Sequence, residues 1–300
     1  MKLLVTSNLQ ASAEELDKIR ALGYEITLHG DEHEAVEAPE QYEAAIGNSL
    51  FLYQDIRRFT SLRYIQLLSV GLDRVPLDYI REHGITLKNA AGVYAGPMAE
   101  WTLMRALDLV KGSRAYQLNQ NEKRWKKVRE IGELDGRTAL IVGFGDYGRE
   151  IAKRLKAFGV RVLIANRTEK SSPYMDAYYP LARLKEALPE ADLVIMAVAI
   201  TGETRHLIGA EEFAAMKDGA YFINAARGGL VDESELVNAL TGGKLAGAAL
   251  DVFETEPLPA ESPLWTLPNV FLSPHNSFIG EQNHRRMMDL VLKNLADYKA

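Results

Sequence analysis

Three hundred residues, 47% of them hydrophobic and 25% charged, form an ordinary globular composition sized for two domains. Thirty-five Lys and Arg against forty-one Asp and Glu leave a formal charge of −6, the wrong sign for a chain that holds phosphate backbones, and the lack of cysteine removes thiolate nucleophiles, disulfides and Cys-ligated metal centres. The longest unbroken apolar run, Leu193 to Ile200, falls far short of a membrane span of ~20 residues, so the expectation is a soluble, cytoplasmic protein with no nucleic-acid or membrane partner.

Apolar runs of β type alternate with amphipathic helical patterns along the chain, which marks a parallel α/β architecture. The first strands are predicted at Lys2 to Thr6, Tyr24 to Leu28, Leu50 to Tyr53, Arg63 to Leu68 and Ile85 to Lys88. Between the first two, Ser12 can cap a helix while Glu15 reaches back to the cap, and Gly23 supplies a left-handed stop. A long helix is predicted from Pro97 to Leu118, with proline in the first turn, where its missing N–H is harmless. Six further strands follow at Thr138 to Val142, Val160 to Ala165, Asp192 to Val198, Ala220 to Asn224, Ala246 to Asp251 and Val270 to Ser273, the strand count of a Rossmann dinucleotide fold. Glu281 to Tyr298 reads as a last helix, with Met287, Met288, Val291, Leu292 and Leu295 near helical spacing, able to return to the first domain. Domain boundaries are therefore expected near residues 96 and 280.

The clearest local motif is GFGDYG, whose Gly143, Gly145 and Gly148 lie between the strand TALIV and a helix beginning near Tyr147. The first glycine allows the tight turn, the second lets backbone approach a pyrophosphate, and the third permits close helix-to-strand packing, while free N–H groups at the helix start face the anion. A NAD-binding fold carries an acidic residue about twenty positions further on, where it holds the ribose hydroxyls. Here the second Rossmann strand, VRVLIANRT, ends in Asn166, Arg167 and Thr168. A guanidinium beside neutral polar side chains can receive a 2′-phosphate that a carboxylate would repel, so NADP(H) is the expected cofactor. Were Glu169 to reach back to the ribose, NAD(H) would be favoured instead.

Doubly wound folds bind ligands at the carboxyl edge of the sheet. Three candidate groups stand at strand exits there: Arg227 in NAARGGLVD, Glu256 in DVFETEPLP and His275 at the end of VFLSPH. Hydride addition to a carbonyl leaves an alkoxide that needs a proton, and imidazole titrates in the useful range, which makes His275 the candidate acid and base. A carboxylate on the other ring nitrogen fixes the tautomer and orients the ring. Glu256 suits that task, with Glu254 a rival that spacing cannot separate from it. An arginine can pair with a substrate carboxylate and polarise the adjacent keto oxygen, which suits Arg227.

With these motifs, SVGLD at Ser69 to Asp73, NAAGVYAGPMAEWTL at Asn89 to Leu103 and TGETRHLI at Thr201 to Ile208 make the chain resemble the D-isomer-specific 2-hydroxyacid dehydrogenases over nearly its whole length. The resemblance implies a Rossmann cofactor domain with a parallel sheet, residues 97–279, inserted into a smaller flavodoxin-like α/β substrate domain made of residues 1–96 and 280–300. It implies an oxidoreductase that moves a hydride between NADP(H) and a 2-keto acid or D-2-hydroxy acid, working as a reductase, and a homodimer. Residue by residue, it puts the catalytic set on Arg227, Glu256 and His275, which sets Glu254 aside. It puts the nicotinamide-carboxamide contact on Asp251 and the pyrophosphate contacts on the backbone of Asp146 and Tyr147. Ala225, Ala226 and Arg227 fall at the cofactor, and Val70 and Gly71, with Arg227 and His275, at the substrate.

Two departures accompany the likeness. Ala199 stands where the family has proline, and NSFIGEQ after His275 lacks the usual Gly-Gly, so a reshaped rim to the site is expected. The formate-dehydrogenase branch pairs its histidine with glutamine, and Glu256 argues against that branch. The alternative function is a cofactor-sensing interaction protein of the corepressor type, which the intact Arg, Glu and His set disfavours. Elsewhere, Lys123 to Arg129 (KRWKKVR) reads as a solvated face, and His29, His33, His83, His206 and His284 form no metal-ligand pattern, so no metal is expected. Tyr53, Tyr94 and Met98 are candidates for either substrate pocket or core.

Overall fold

A computed structural model describes residues 1–129 and 131–299, so Ala300, the last residue of the expected substrate domain, lies outside the described residues. The chain divides into two compact units, Met1–Tyr94 with the segment from Gly280 onward, and Ala95–Ile279.

The first unit is built on β1 (Lys2–Thr6), β2 (Glu25–His29), β3 (Ala44–Gly47), β4 (Tyr64–Leu67) and β5 (Thr86–Lys88), all parallel in the flavodoxin-like order β2-β1-β3-β4-β5. One face of the sheet, through Leu3, Val5, Ile46 and Tyr64, buries Met287, Met288, Val291 and Leu295 of the helix Asn283–Lys299. The other face, through Leu4, Ala45 and Ile65, covers Leu50, Ile56, Phe59 and Ile80. The helix Ala13–Ala21 opens on the expected capping box: Ser12 N donates to Glu15 Oε2 at 2.8 Å and Glu15 N to Ser12 Oγ at 3.3 Å.

The expected strand Leu50 to Tyr53 is instead one helical turn, and the strand lies upstream at β3, AAIG. Leu50 is 2% exposed while Leu52 and Tyr53 are 54% and 51% exposed, so LFLY is a half-buried turn, and a short apolar run has no period with which to distinguish the two states. Alanine and glycine carry little β preference, yet all four residues of β3 are buried between β1 and β4. Burial in the middle of the sheet overrides their propensity.

The second unit holds β6 (Thr138–Val142), β7 (Arg161–Asn166), β8 (Ala177–Pro180), β9 (Leu193–Met196), β10 (Ala220–Asn224), β11 (Leu245–Leu250) and β12 (Val270–Leu272). Seven parallel strands stand in the order β12-β11-β10-β9-β6-β7-β8, a Rossmann sheet whose strand order reverses between β6 and β9. Six strands were expected; the unforeseen one is β8, AYYP, a half-exposed edge strand ending in proline within a segment that reads as loop. Ile141, Ile164 and Ile195 on one face pack against Ala106 and Val110 and against Ile151 and Leu155. Leu140, Val194 and Phe222 on the other pack against Leu188, Phe213 and Leu236. The single long helix expected from Pro97 to Leu118 is two, Ala95–Lys111 and Ser113–Asn121, broken where Gly112 turns left-handed at φ 60°.

Candidate active site

β6 is buried at all five residues and delivers Gly143 into the turn at φ 106°. A Cβ there would lie 2.4 Å from the Ala197 carbonyl oxygen, and one on Gly148 2.3 Å from the Gly143 oxygen, so β6, β9 and the following helix approach closer than any side chain allows. At Gly145, which caps the helix Asp146–Ala157, a Cβ would meet nothing within 4 Å: here the space is open toward a ligand. The first bond of that helix runs from Arg149 N to Gly145 O at 3.0 Å, which leaves the amides of Asp146, Tyr147 and Gly148 outside the helical ladder at the positive end of the dipole. This cradle fits a dinucleotide pyrophosphate. The Tyr147 hydroxyl is bonded to Thr102 Oγ1 at 2.7 Å and burial pushes the phenol up, which leaves its backbone amide as the group at this turn.

At the exit of β7, Asn166 Oδ1 accepts from the Phe144 amide at 3.3 Å and its Nδ2 donates to the Thr168 carbonyl at 2.8 Å. That side chain braces the glycine turn. Arg167, Thr168 and Glu169 are exposed. Motif reading missed Lys170, whose Nζ donates to the Phe144 carbonyl at 3.1 Å and brings a second cation to the same turn. A lysine past the strand end carries no motif signal; only the fold returns it to the glycines.

Arg227, Glu256 and His275 follow β10, β11 and β12, three strands that are consecutive neighbours in the sheet. Buried Asn224 closes the turn before Arg227, accepting from the Ala226 amide at 3.0 Å and donating to the Arg227 carbonyl at 2.9 Å. Ala225 and Ala226 are themselves buried, and Arg227 Nη1 donates to the Ala226 carbonyl at 2.8 Å. Asp251, 0% exposed, organises the segment after β12: Oδ1 accepts from Ser273 Oγ at 2.6 Å and Asn276 N at 3.0 Å, and Oδ2 from Ser277 N at 2.9 Å. Its carbonyl also accepts from His275 N at 2.8 Å, and His275 is left-handed at φ 50°. The Asp251 side chain, expected at a nicotinamide carboxamide, is bonded to the protein's own 273–277 segment.

The geometry separates the two glutamates that spacing leaves equal. Glu256 Oε2 stands 2.7 Å from His275 Nδ1, while its Oε1 accepts from Phe253 N at 3.0 Å. Glu254 turns the other way, with Oε1 2.6 Å from His206 Nε2. The Glu256 contact holds the imidazole by Nδ1 and leaves Nε2 as the atom for proton exchange. Both side chains are 35% exposed, so the pair is open to solvent and substrate.

In the first unit, Val70 and Gly71 lie in the loop after β4, where Asn89 Nδ2 donates to the Val70 carbonyl at 2.7 Å and Ser69 Oγ to the Gly71 carbonyl at 3.1 Å. Tyr53 lines a cleft with Ser7, Asn8, Glu32 and His33 at the carboxyl ends of β1 to β3. Tyr94 donates to the Leu68 carbonyl at 2.7 Å, and Met98 is half-buried in the helix Ala95–Lys111. Lys123 to Arg129 lie on the surface, with Trp125 fully exposed. Among the described residues, no group of histidines and carboxylates could hold a metal ion and no helix is long and apolar enough to cross a membrane.

The profile described as "D-isomer specific 2-hydroxyacid dehydrogenase, NAD binding domain" matches residues 103–277. A glyoxylate reductase of Thermococcus gammatolerans is 35% identical over 246 residues, 79% of this chain and 73% of its own. The solved structure of a D-isomer specific 2-hydroxyacid dehydrogenase from Xanthobacter autotrophicus, in complex with NADPH and MES, is similar with a TM-score of 0.82 at 26% identity, over 99% of this chain and 94% of that one. D-lactate dehydrogenase from Aquifex aeolicus, complexed with NAD and lactic acid, gives 0.81 at 27% identity, over 99% and 95%.

Proposed function

The chain belongs to the D-isomer specific 2-hydroxyacid dehydrogenase family and moves a hydride between a nicotinamide cofactor and a 2-keto or 2-hydroxy acid, and on that premise we propose that it is an NADPH-dependent reductase of small 2-keto acids such as glyoxylate or hydroxypyruvate. The observation that carries the mechanism is the 2.7 Å contact between His275 Nδ1 and Glu256, on a segment clamped by Asp251.

Nicotinamide, when bound, supplies the hydride. The protein's own groups do the rest. Arg227 pairs with the substrate carboxylate and polarises the adjacent keto oxygen. His275, held by Glu256 at Nδ1, gives the proton on Nε2 to the oxygen as the alkoxide develops. In the oxidative direction the same nitrogen takes the proton back.

The preference for NADPH rests on Arg167 and Lys170 beside the glycine turn and on the lack of a carboxylate at the end of β7. The test is steady-state kinetics over a panel of 2-keto acids with both reduced nucleotides. We expect kcat/KM with NADPH to exceed that with NADH by about tenfold or more; equal values overturn the preference. A His275→Ala variant is expected to lose about 10²-fold or more in kcat, and wild-type turnover by that variant overturns the mechanism.

The protein is also proposed to form a homodimer. None of the nine residues of the helix Ser113–Asn121 is buried, and Tyr116, Leu118 and the following Trp125 and Ile131 leave apolar surface that a second copy would cover.

A further inference from the structure

His206 belongs to no part of the mechanism above. It sits left-handed at φ 48° in the segment after β9, which is tied to the stretch that follows Arg227: His206 N donates to Gly229 O at 2.9 Å and Ile208 N to Leu230 O at 3.1 Å. Its Nε2 stands 2.6 Å from Glu254 Oε1. Two residues further along, Glu256 makes the equivalent contact with His275 at 2.7 Å. One short segment therefore carries two glutamates, each gripped by a histidine from a different loop.

That segment is held closely on its remaining sides. A Cβ on Gly228 would lie 1.9 Å from the Phe253 carbonyl, so the arginine loop rests directly on its backbone, and Phe253 N donates to Glu256 Oε1 at 3.0 Å. Glu254 N donates to Glu233 Oε2 at 3.2 Å, which places a second carboxylate beside Glu254. Burial, with the like charge of Glu254, pushes the Glu233 carboxyl up. Asp232 at the start of the same helix feels the His206 charge, and the Arg205 guanidinium lies beside Gly229. The charged groups around the His206–Glu254 pair are thus Asp232, Glu233 and Arg205.

We propose that His206 is a positioning residue for hydride transfer: it anchors Glu254 and thereby fixes the segment from which Glu256 aims His275. The inference rests on the reading of Glu256 and His275 as the catalytic pair.

Four variants test this: His206→Gln, His206→Lys, Glu254→Gln and the double variant His206→Gln/Glu254→Gln. His206→Gln and Glu254→Gln should each lose about tenfold in kcat with KM little changed, as a displaced catalytic group does, and the double variant should be no worse than either. His206→Lys keeps a hydrogen-bond donor for Glu254 and should keep kcat. A His206→Gln enzyme with wild-type kcat overturns the proposal, as does a double variant whose losses multiply. NMR titration of the labelled imidazoles, with His275 assigned by a His275→Asn variant, gives a reading independent of turnover. If His275's titration moves in His206→Gln, the coupling stands even should no keto acid be reduced, and that second failure would fall on the proposed function alone. If it does not move, the coupling is refuted.

Discussion

An L-residue adopts a φ of 50° only when its surroundings impose it, and at His275 the imposing group is Asp251. Its carboxylate takes two backbone amides and a serine hydroxyl while its carbonyl takes the His275 amide, so one buried side chain determines where the imidazole starts and Glu256 determines where it points. Asp251→Asn puts an amide nitrogen against donors it cannot accept from. We expect a loss of about 1–3 kcal/mol in unfolding free energy by urea titration, as for a buried polar group left unsatisfied, together with a fall in kcat larger than any change in KM. Unchanged stability would show that the clamp carries no load. Sequence reading reached the three strand exits because a histidine, a glutamate and an arginine at a sheet edge have a shared chemistry. It could not choose Glu256 over Glu254 by spacing, because both lie past the strand end, where no periodicity assigns direction. Lys170 and His206 went unread because their partners, Phe144 and Glu254, are distant in the chain.

Among elements, those with a strong local signal were legible and those shaped by their neighbours were not. The glycine turn, the capping box and the hydrophobic strands of the second sheet follow from local chemistry, whereas β3 is a strand because β1 and β4 bury it, and β8 because β7 offers an edge. The ends of β1 and β3 are joined through Glu32, which is 3% exposed. Its carboxylate accepts from Thr6 Oγ1 at 2.7 Å and from the amides of Asn48 and Ser49 at 2.7 and 2.6 Å. Burial alone would push this carboxyl up, but the Asn48 amide, the Asn8 side chain, Thr6 and the Ser49 amide together outweigh it and hold it below the ordinary 4.5. A carboxyl lowered by folding contributes stability that is complete above its unfolded value and is lost as pH falls through its folded value. Glu32→Gln should therefore be less stable than wild type at pH 7 in urea titrations, with the gap closing below pH 4.5 as the wild-type carboxyl protonates. A gap that stays constant with pH would remove Glu32 from the acid response.

For the whole molecule, the open question is assembly. The helix Ser113–Asn121 buries none of its residues within this chain, and Leu118 and Trp125 are 50% and 102% exposed. If a second copy covers them, Leu118→Glu with Trp125→Glu should convert a dimer to a monomer in sedimentation velocity while leaving far-ultraviolet circular dichroism unchanged. A wild-type chain that sediments as a monomer at micromolar concentration would refute the dimer. Sequence composition spoke to this scale only through exclusions such as charge and the missing cysteines. What it lacked was the knowledge that Gly112 breaks the long helix and turns its second half outward, away from its own core.

The helix Asn283–Lys299 supplies Met287, Met288, Val291 and Leu295 to a sheet whose strands all come from the first 94 residues. During synthesis, that sheet emerges from the ribosome with one apolar face bare and remains so while residues 95–279, a continuous stretch with its own core, are made. The second unit can finish before the first, and the growing chain has an interval in which Leu3, Val5 and Tyr64 lack their cover and are open to chaperones or to aggregation.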